Sequence, residues 1–162
     1  MINIEIEALV MDPENGIPVL FLSEPGSEWS VPIWIGEAEA MAIALEMEEE
    51  NFPRPLTHDL IKAVLDSMGS RIKRVVIDDV DESTFFATLV IEKDTGEEIH
   101  IDSRPSDSVA LALRTGAPLF ITEEVFEAAA VEASLDFAQE GQEQFDKFID
   151  EDIELSDFKK FT

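Results

Sequence analysis

Residues 84–116 read TFFATLVIEKDTGEEIHIDSRPSDSVALALRTG, and their two periodicities decide the fold class. Asp94-Thr95-Gly96 is a hairpin turn. Counting outward from it sets Leu89 and Ile91 opposite Ile101 and Ile99, one apolar face of a strand pair. His100 and Asp102 then fall on the other face with Thr88 and Val90. The rhythm changes at Pro105, which opens a helix to about Thr115, and Gly116 stops it. Strands followed by an Ala-rich helix, in one short run, point to an α+β domain.

Working outward gives more of both kinds. Ile2, Ile4, Ile6 and Ala8 alternate with Asn3, Glu5 and Glu7, the period of a half-buried strand. The Pro13–Gly16 turn leads to an apolar run over 17–22, and the turn at Pro25-Gly26 leads to 29–35. Three antiparallel strands are the economical reading. Helices are expected over 37–49, with Met41, Ala44, Leu45 and Ala38 inward, and over 57–68, capped by Thr57, with Leu60, Ile61, Val64 and Leu65 inward. Further strands fall at 72–80, 84–92 and 97–103. A short one at 118–121 precedes a helix capped by Thr122. The expected architecture is a mixed or antiparallel sheet with three to four helices.

Residues 33–45 superimpose without gaps on 101–113. Ile33/Ile101, Ala42/Ala110, Ala44/Ala112 and Leu45/Leu113 are identical, and Glu39 faces Asp107. This echo suggests a duplicated strand–helix unit. Residues 1–131 form the expected domain, and 132–162 an acidic extension marked by Phe137, Phe145, Phe148, Phe158 and Phe161. Phe145, Phe148 and Ile149 would share one face of a short helix.

The chain has 162 residues, 11 basic and 37 acidic, for a formal charge of −26. Residues 1–131 hold 8 basic against 27 acidic, and 132–162 hold 3 against 10, so the acidity is spread throughout. Nucleic-acid affinity rests on Lys and Arg neutralising phosphates, so this field opposes nonspecific binding to nucleic acid or anionic membrane. The absence of Cys excludes disulfides, thiolate metal sites and a cysteine nucleophile. The N-terminus lacks the basic lead of a signal peptide and no apolar run approaches a membrane span, so a cytoplasmic location is expected.

Gly-rich phosphate loops, GxGxxG and GxSxG are all missing from the sequence. The chemistry left is carboxylate, imidazole and guanidinium. It gathers at two helix entrances, Arg54-Pro55-Leu56-Thr57-His58-Asp59 and Asp102-Ser103-Arg104-Pro105-Ser106-Asp107-Ser108, with Asp78-Asp79 near a strand's end. Each residue has a structural reading: Thr57, Asp59 and Asp107 suit helix starts, Arg104 an ion pair, His58 a solvent-facing position. If the entrances converge, His58, Asp59, Arg104 and Asp107 become candidate catalytic residues, with Arg54, Thr57 and Ser106 binding substrate. Asp59, Asp102 and Asp107 could then hold Mg²⁺ or Mn²⁺ through hard oxygens. No organic cofactor is expected.

These stretches, with Val31-Pro32-Ile33-Trp34-Ile35-Gly36, Val75-Val76-Ile77-Asp78-Asp79 and the run on to Arg114, resemble the bifunctional nuclease domain family of bacterial and plant proteins. The resemblance covers roughly residues 1–131. It implies an α+β fold, DNase and RNase activity and a homo-oligomer, with a partner-binding C-terminal extension in some relatives. It carries over no agreed catalytic residues. One departure is Phe86, where relatives often have Tyr; this chain has no Tyr. Two functions therefore compete: a metal-dependent nuclease acting on DNA and RNA, and a non-enzymatic acidic homo-oligomer binding a protein or small ligand.

Overall fold

The computed structural model describes residues 1–132 and 135–152. In chain order the elements are β1 (Ile2–Met11), β2 (Pro18–Ser23), β3 (Trp29–Trp34), α1 (Glu37–Met47), α2 (Thr57–Ser67), β4 (Ser70–Asp81), β5 (Thr84–Lys93), β6 (Glu98–Ser103), α3 (Pro105–Thr115), β7 (Leu119–Ile121), α4 (Glu123–Ala129), β8 (Val131–Glu132) and α5 (Leu135–Lys147). A single π-helical turn, Phe148–Asp152, follows α5. Among the described residues there are thus five α-helices, one more than the upper expectation, because α4 and the extension each supply one. No helix there is long and apolar enough to cross a membrane.

All eight strands join one mixed sheet in the order β6-β5-β4-β7-β1-β2-β3-β8. The β5–β6 register places Leu89 opposite Ile101 and Ile91 opposite Ile99, as the turn dictates, and Gly96 takes φ +85° in that turn. β1, β2 and β3 run antiparallel, with a bulge in β1 between Ile6 and Ala8. The short β7 lies between the two halves. It pairs antiparallel with β1 (Ile4 to Leu119) and parallel with β4 (Val75 to Leu119). Parallel pairing needs a crossover connection, and β5, β6 and α3 supply it.

The core is aliphatic: Leu20, Leu22, Val31, Val75, Ile77 and Ile121 are fully buried together with Ile43 of α1 and Val109 of α3. Burying each such side chain contributes roughly 1.5–3 kcal/mol. Helix α3 begins on Pro105 and ends on Gly116, which adopts φ +69°, a left-handed cap that a side chain would resist. Thr122 caps α4 by accepting the Val125 N–H.

Two helix faces differ from expectation. In α1, Ala40 and Ile43 are buried with Ala44 and Leu45, while Ala38 is exposed. In α2 the inward residues are His58 and, partly, Leu65, whereas Leu60, Ile61, Val64 and Met68 stay exposed. Periodicity marks an apolar stripe, but the position of α2 against α3 and β4 decides which side is covered. The chain puts His58 inward and leaves the stripe outside.

Helix α5 packs on β1. Phe145 is buried in the core, and Phe148 and Ile149 lean on it, as their spacing predicts. The close approach is at Gly141, where an added Cβ would lie 2.5 Å from the Met11 carbonyl oxygen. The side chain of Phe137, and Phe158 and Phe161, lie outside the described residues.

Candidate functional site at two helix entrances

Helix α2 starts after Pro53 and Pro55. Its cap is not Thr57, the first helical residue, but the extended Leu56. The Leu56 N–H donates to Asp59 Oδ2 at 2.9 Å, so Asp59, at the third helical position, satisfies an orphan amide. The other Asp59 oxygen accepts Arg114 Nε at 2.7 Å. Arg114 also donates from Nη1 to the Ala110 carbonyl at 2.9 Å, and its side chain is only 4% exposed. Burial pushes the Asp59 carboxyl up, but the Leu56 N–H and the Arg114 guanidinium outweigh it and hold it below the usual range. Asp59 therefore bolts α2 to α3.

That bolt fixes the neighbouring residue. His58 is buried, and its Nε2 lies 3.0 Å from Asp107 Oδ1 on α3. A carboxylate only accepts, so Nε2 is the donor in this contact, and the tautomer that meets it has its lone pair on Nδ1. The second Asp107 oxygen accepts Arg104 Nε at 2.9 Å and Nη2 at 2.8 Å. Arg104 Nη2 also reaches Glu39 Oε1 at 2.9 Å. Asp107 and then Glu39 hold the guanidinium pKa above its ordinary value. The network runs His58–Asp107–Arg104–Glu39 across three helices.

Around it opens a cleft of about 540 Å³. Ala38, Met41, Ala42 and Leu45 come from α1, and Pro55, Leu56, Thr57 and His58 from the α2 entrance. Glu39, Arg104 and Asp107 supply its charge. The two Arg-Pro entrances thus meet. Arg54 is exposed beside Pro55, and among the described residues it pairs with no carboxylate.

Other expected residues stand apart. Ser106 is buried in the first turn of α3 and is not among the cleft's lining side chains. Asp102 faces Thr88 across the β5–β6 pair, outside the cleft. Asp78 takes the Thr88 hydroxyl, and Asp79 its neighbour's N–H at Val80, so they form no joint site. Among the described residues no three His, Asp or Glu side chains gather to hold a metal. Of the expected Mg²⁺ or Mn²⁺ ligands, Asp102 lies apart from the cleft that Asp107 lines, and Asp59 stands in the first turn of α2. Both Asp59 oxygens and both Asp107 oxygens already accept N–H donors.

Glu39 and Arg114 are the residues that sequence reasoning left without a role. Glu39 had a signal in the echo of 33–45 on 101–113. The third residues of α1 and α3, Glu39 and Asp107, share Arg104. Arg114 lies one helix away from its partner, and nothing in the sequence pairs it with Asp59.

Residues 20–134 match the bifunctional nuclease domain. The chain belongs to that family. It is 40% identical over 158 residues to Uncharacterized protein Rv1829 of Mycobacterium tuberculosis, covering 93% of both chains. It is 31% identical over 98 residues to Bifunctional nuclease 2 of Oryza sativa subsp. japonica, covering 59% of this chain and 30% of the rice protein. With Bifunctional nuclease 1 of Arabidopsis thaliana the identity is 25% over 103 residues, covering 62% and 32%. The bifunctional nuclease domain here thus spans about a third of its plant relatives. The family match takes in β3 through β8, most of β2 and every residue of the cleft.

Proposed function

We propose that the chain hydrolyses phosphodiester bonds of the nucleic-acid type in the cleft between α1 and the entrances of α2 and α3. The 3.0 Å contact between His58 and Asp107, made across 49 positions of sequence, carries the reading. A carboxylate that orients an imidazole and steadies the imidazolium is the arrangement a general base requires. His58 Nδ1 takes a proton from water, the water oxygen bonds to phosphorus, and the ester P–O bond breaks. The leaving oxygen is protonated from solvent, so phosphodiester and water become phosphomonoester and alcohol. Arg104 uses Nε and Nη2 on Asp107 and Glu39, which leaves its Nη1 donors for a phosphate oxygen. Arg54 supplies a second cation from the rim. Each step uses only this chain's own side chains, the substrate and water. Attack by water needs no 2′-hydroxyl, so deoxyribo- and ribonucleotide esters both serve, in keeping with the name bifunctional nuclease that the plant relatives carry. Turnover of deoxyribo- and ribonucleotide phosphodiesters by wild type, His58→Gln and Asp107→Asn is the test. Equal rates in all three would end the proposal.

A specific observation favours a second reading, the acidic homo-oligomeric module. Thr57, Leu60, Ile61, Ala63, Val64, Ser67 and Met68 make one uncharged side of α2, and Leu60, Val64 and Met68 are 55%, 47% and 73% exposed. A chain of charge −26 repels its own copies except at such a face, so a second copy is the occupant it suits. Sedimentation of wild type against Leu60→Glu/Val64→Glu decides it: a monomer in both excludes this interface.

A further inference from the structure

Resting on the hydrolytic reading, we infer that the cleft's substrate is a small phosphodiester, of dinucleotide size, rather than a duplex or a long strand.

Three observations converge on this. First, among the described residues few cations are free to meet a polyanion. Among the described residues every Lys and Arg except Arg54 and Lys147 is already in a carboxylate ion pair. Affinity for a strand grows with the number of phosphates neutralised. One unpaired guanidinium beside the cleft and one shared guanidinium inside it match one or two phosphates. Each further nucleotide adds a negative charge facing a chain of −26, and among the described residues no further unpaired cation lines the cleft.

Second, the cleft of about 540 Å³ lies within the size range of small-molecule pockets, roughly 300–1,000 Å³. A base held in a duplex would first have to be unstacked and extruded to enter, at a few kcal/mol. A dinucleotide arrives with its bases free.

Third, the charged groups sit at Glu39, Arg104 and Asp107, while Met41, Ala42, Leu45 and Pro55 offer an apolar lining. That pairing suits a ligand with one anionic centre and one flat apolar face. Such a ligand is a nucleotide unit, with its phosphate at Arg104 and its base against α1.

The experiment compares a deoxy and a ribo dinucleotide with a single strand of roughly 20 nucleotides and its duplex across a salt series. Expected is a kcat/KM per scissile bond about 100-fold higher for the dinucleotides at low salt. Strand cleavage should rise with salt as repulsion is screened, while dinucleotide cleavage stays nearly flat. Strand or duplex turnover equal to the dinucleotide's, or falling with salt, overturns the inference and leaves hydrolysis standing. Calorimetric titration with a phosphorothioate dinucleotide separates binding from turnover, with Arg54→Ala expected to weaken binding about tenfold. Binding without any turnover would sink the hydrolytic reading alone. Absence of binding would overturn the inference itself.

Discussion

Arg114 and Asp59 form a nearly closed ion pair, Nε to Oδ1 at 2.7 Å, between the last turn of α3 and the first turn of α2. The Asp59 carboxylate fastens two helices. It holds the helix start that presents His58 to Asp107.

Removing the fastener should cost stability before it costs chemistry. Arg114→Leu leaves Asp59 and the Ala110 carbonyl without their donor, and the loss expected is about 2–4 kcal/mol. Urea denaturation measures it. An unchanged midpoint would show that the pair holds nothing.

Removing the dyad should do the reverse. His58→Gln and Asp107→Asn keep side-chain size and polarity, so folding survives, while kcat falls by about 10²–10⁴-fold with little change in KM. Steady-state kinetics on a dinucleotide, with circular dichroism as the control for fold, gives the answer.

Chelators should leave the activity in place. The proposed steps use His58, Arg104 and water, and each Asp59 and Asp107 oxygen accepts an N–H from Leu56, Arg114, His58 or Arg104. EDTA treatment is therefore expected to change kcat by less than about twofold. Loss of activity on EDTA, restored by Mn²⁺, would refute the metal-free route.

Acid should loosen the domain by a predictable route. The Trp34 indole N–H and the Glu14 N–H hold Asp12 below its ordinary value of 3.8. For Asp59, burial works upward, and the Leu56 and Arg114 donors prevail. Both folded-state values are depressed, so the unfolded chain takes up protons first as pH drops. Their stabilisation is complete above about pH 5 and is lost as pH falls through 3.8 and below. Urea midpoints measured from neutral to acid pH should decline below about pH 4, and less steeply in Asp12→Asn.

The docking of α5 should hinge on one hydrogen atom. Gly141→Ala brings a Cβ to 2.5 Å from the Met11 carbonyl oxygen, a backbone atom that cannot swing away. Destabilisation of about 1–3 kcal/mol is expected, together with faster proteolysis within 135–147. Wild-type protease resistance in the variant would place α5 differently.

Local chemistry made much of this fold readable. Asp94-Thr95-Gly96 fixes the pairing of Leu89 with Ile101, and Pro105 and Gly116 fix the ends of α3. Convergence of the two entrances was foreseeable only as a condition, because no periodicity relates position 58 to position 107. Burial of His58 ran against the apolar stripe of α2, since packing against α3 outranked the pattern. The fate of Asp59 was hidden for a related reason. A carboxylate at the third helical position suits a cap on paper, and its ion pair with Arg114, 55 positions away, is not readable there.

The three residues of β7 also set an order of assembly. They splice residues 2–4 to residues 75–77 in mid-sheet. A ribosome delivers β1 to β3 and β4 to β6 well before that splice, so two half-sheets wait with open edges until position 121 has cleared the exit tunnel. During that interval β1 and β4 are sticky templates for another chain. The exposure is longest if synthesis slows after β6 has emerged and before position 121 has left the tunnel.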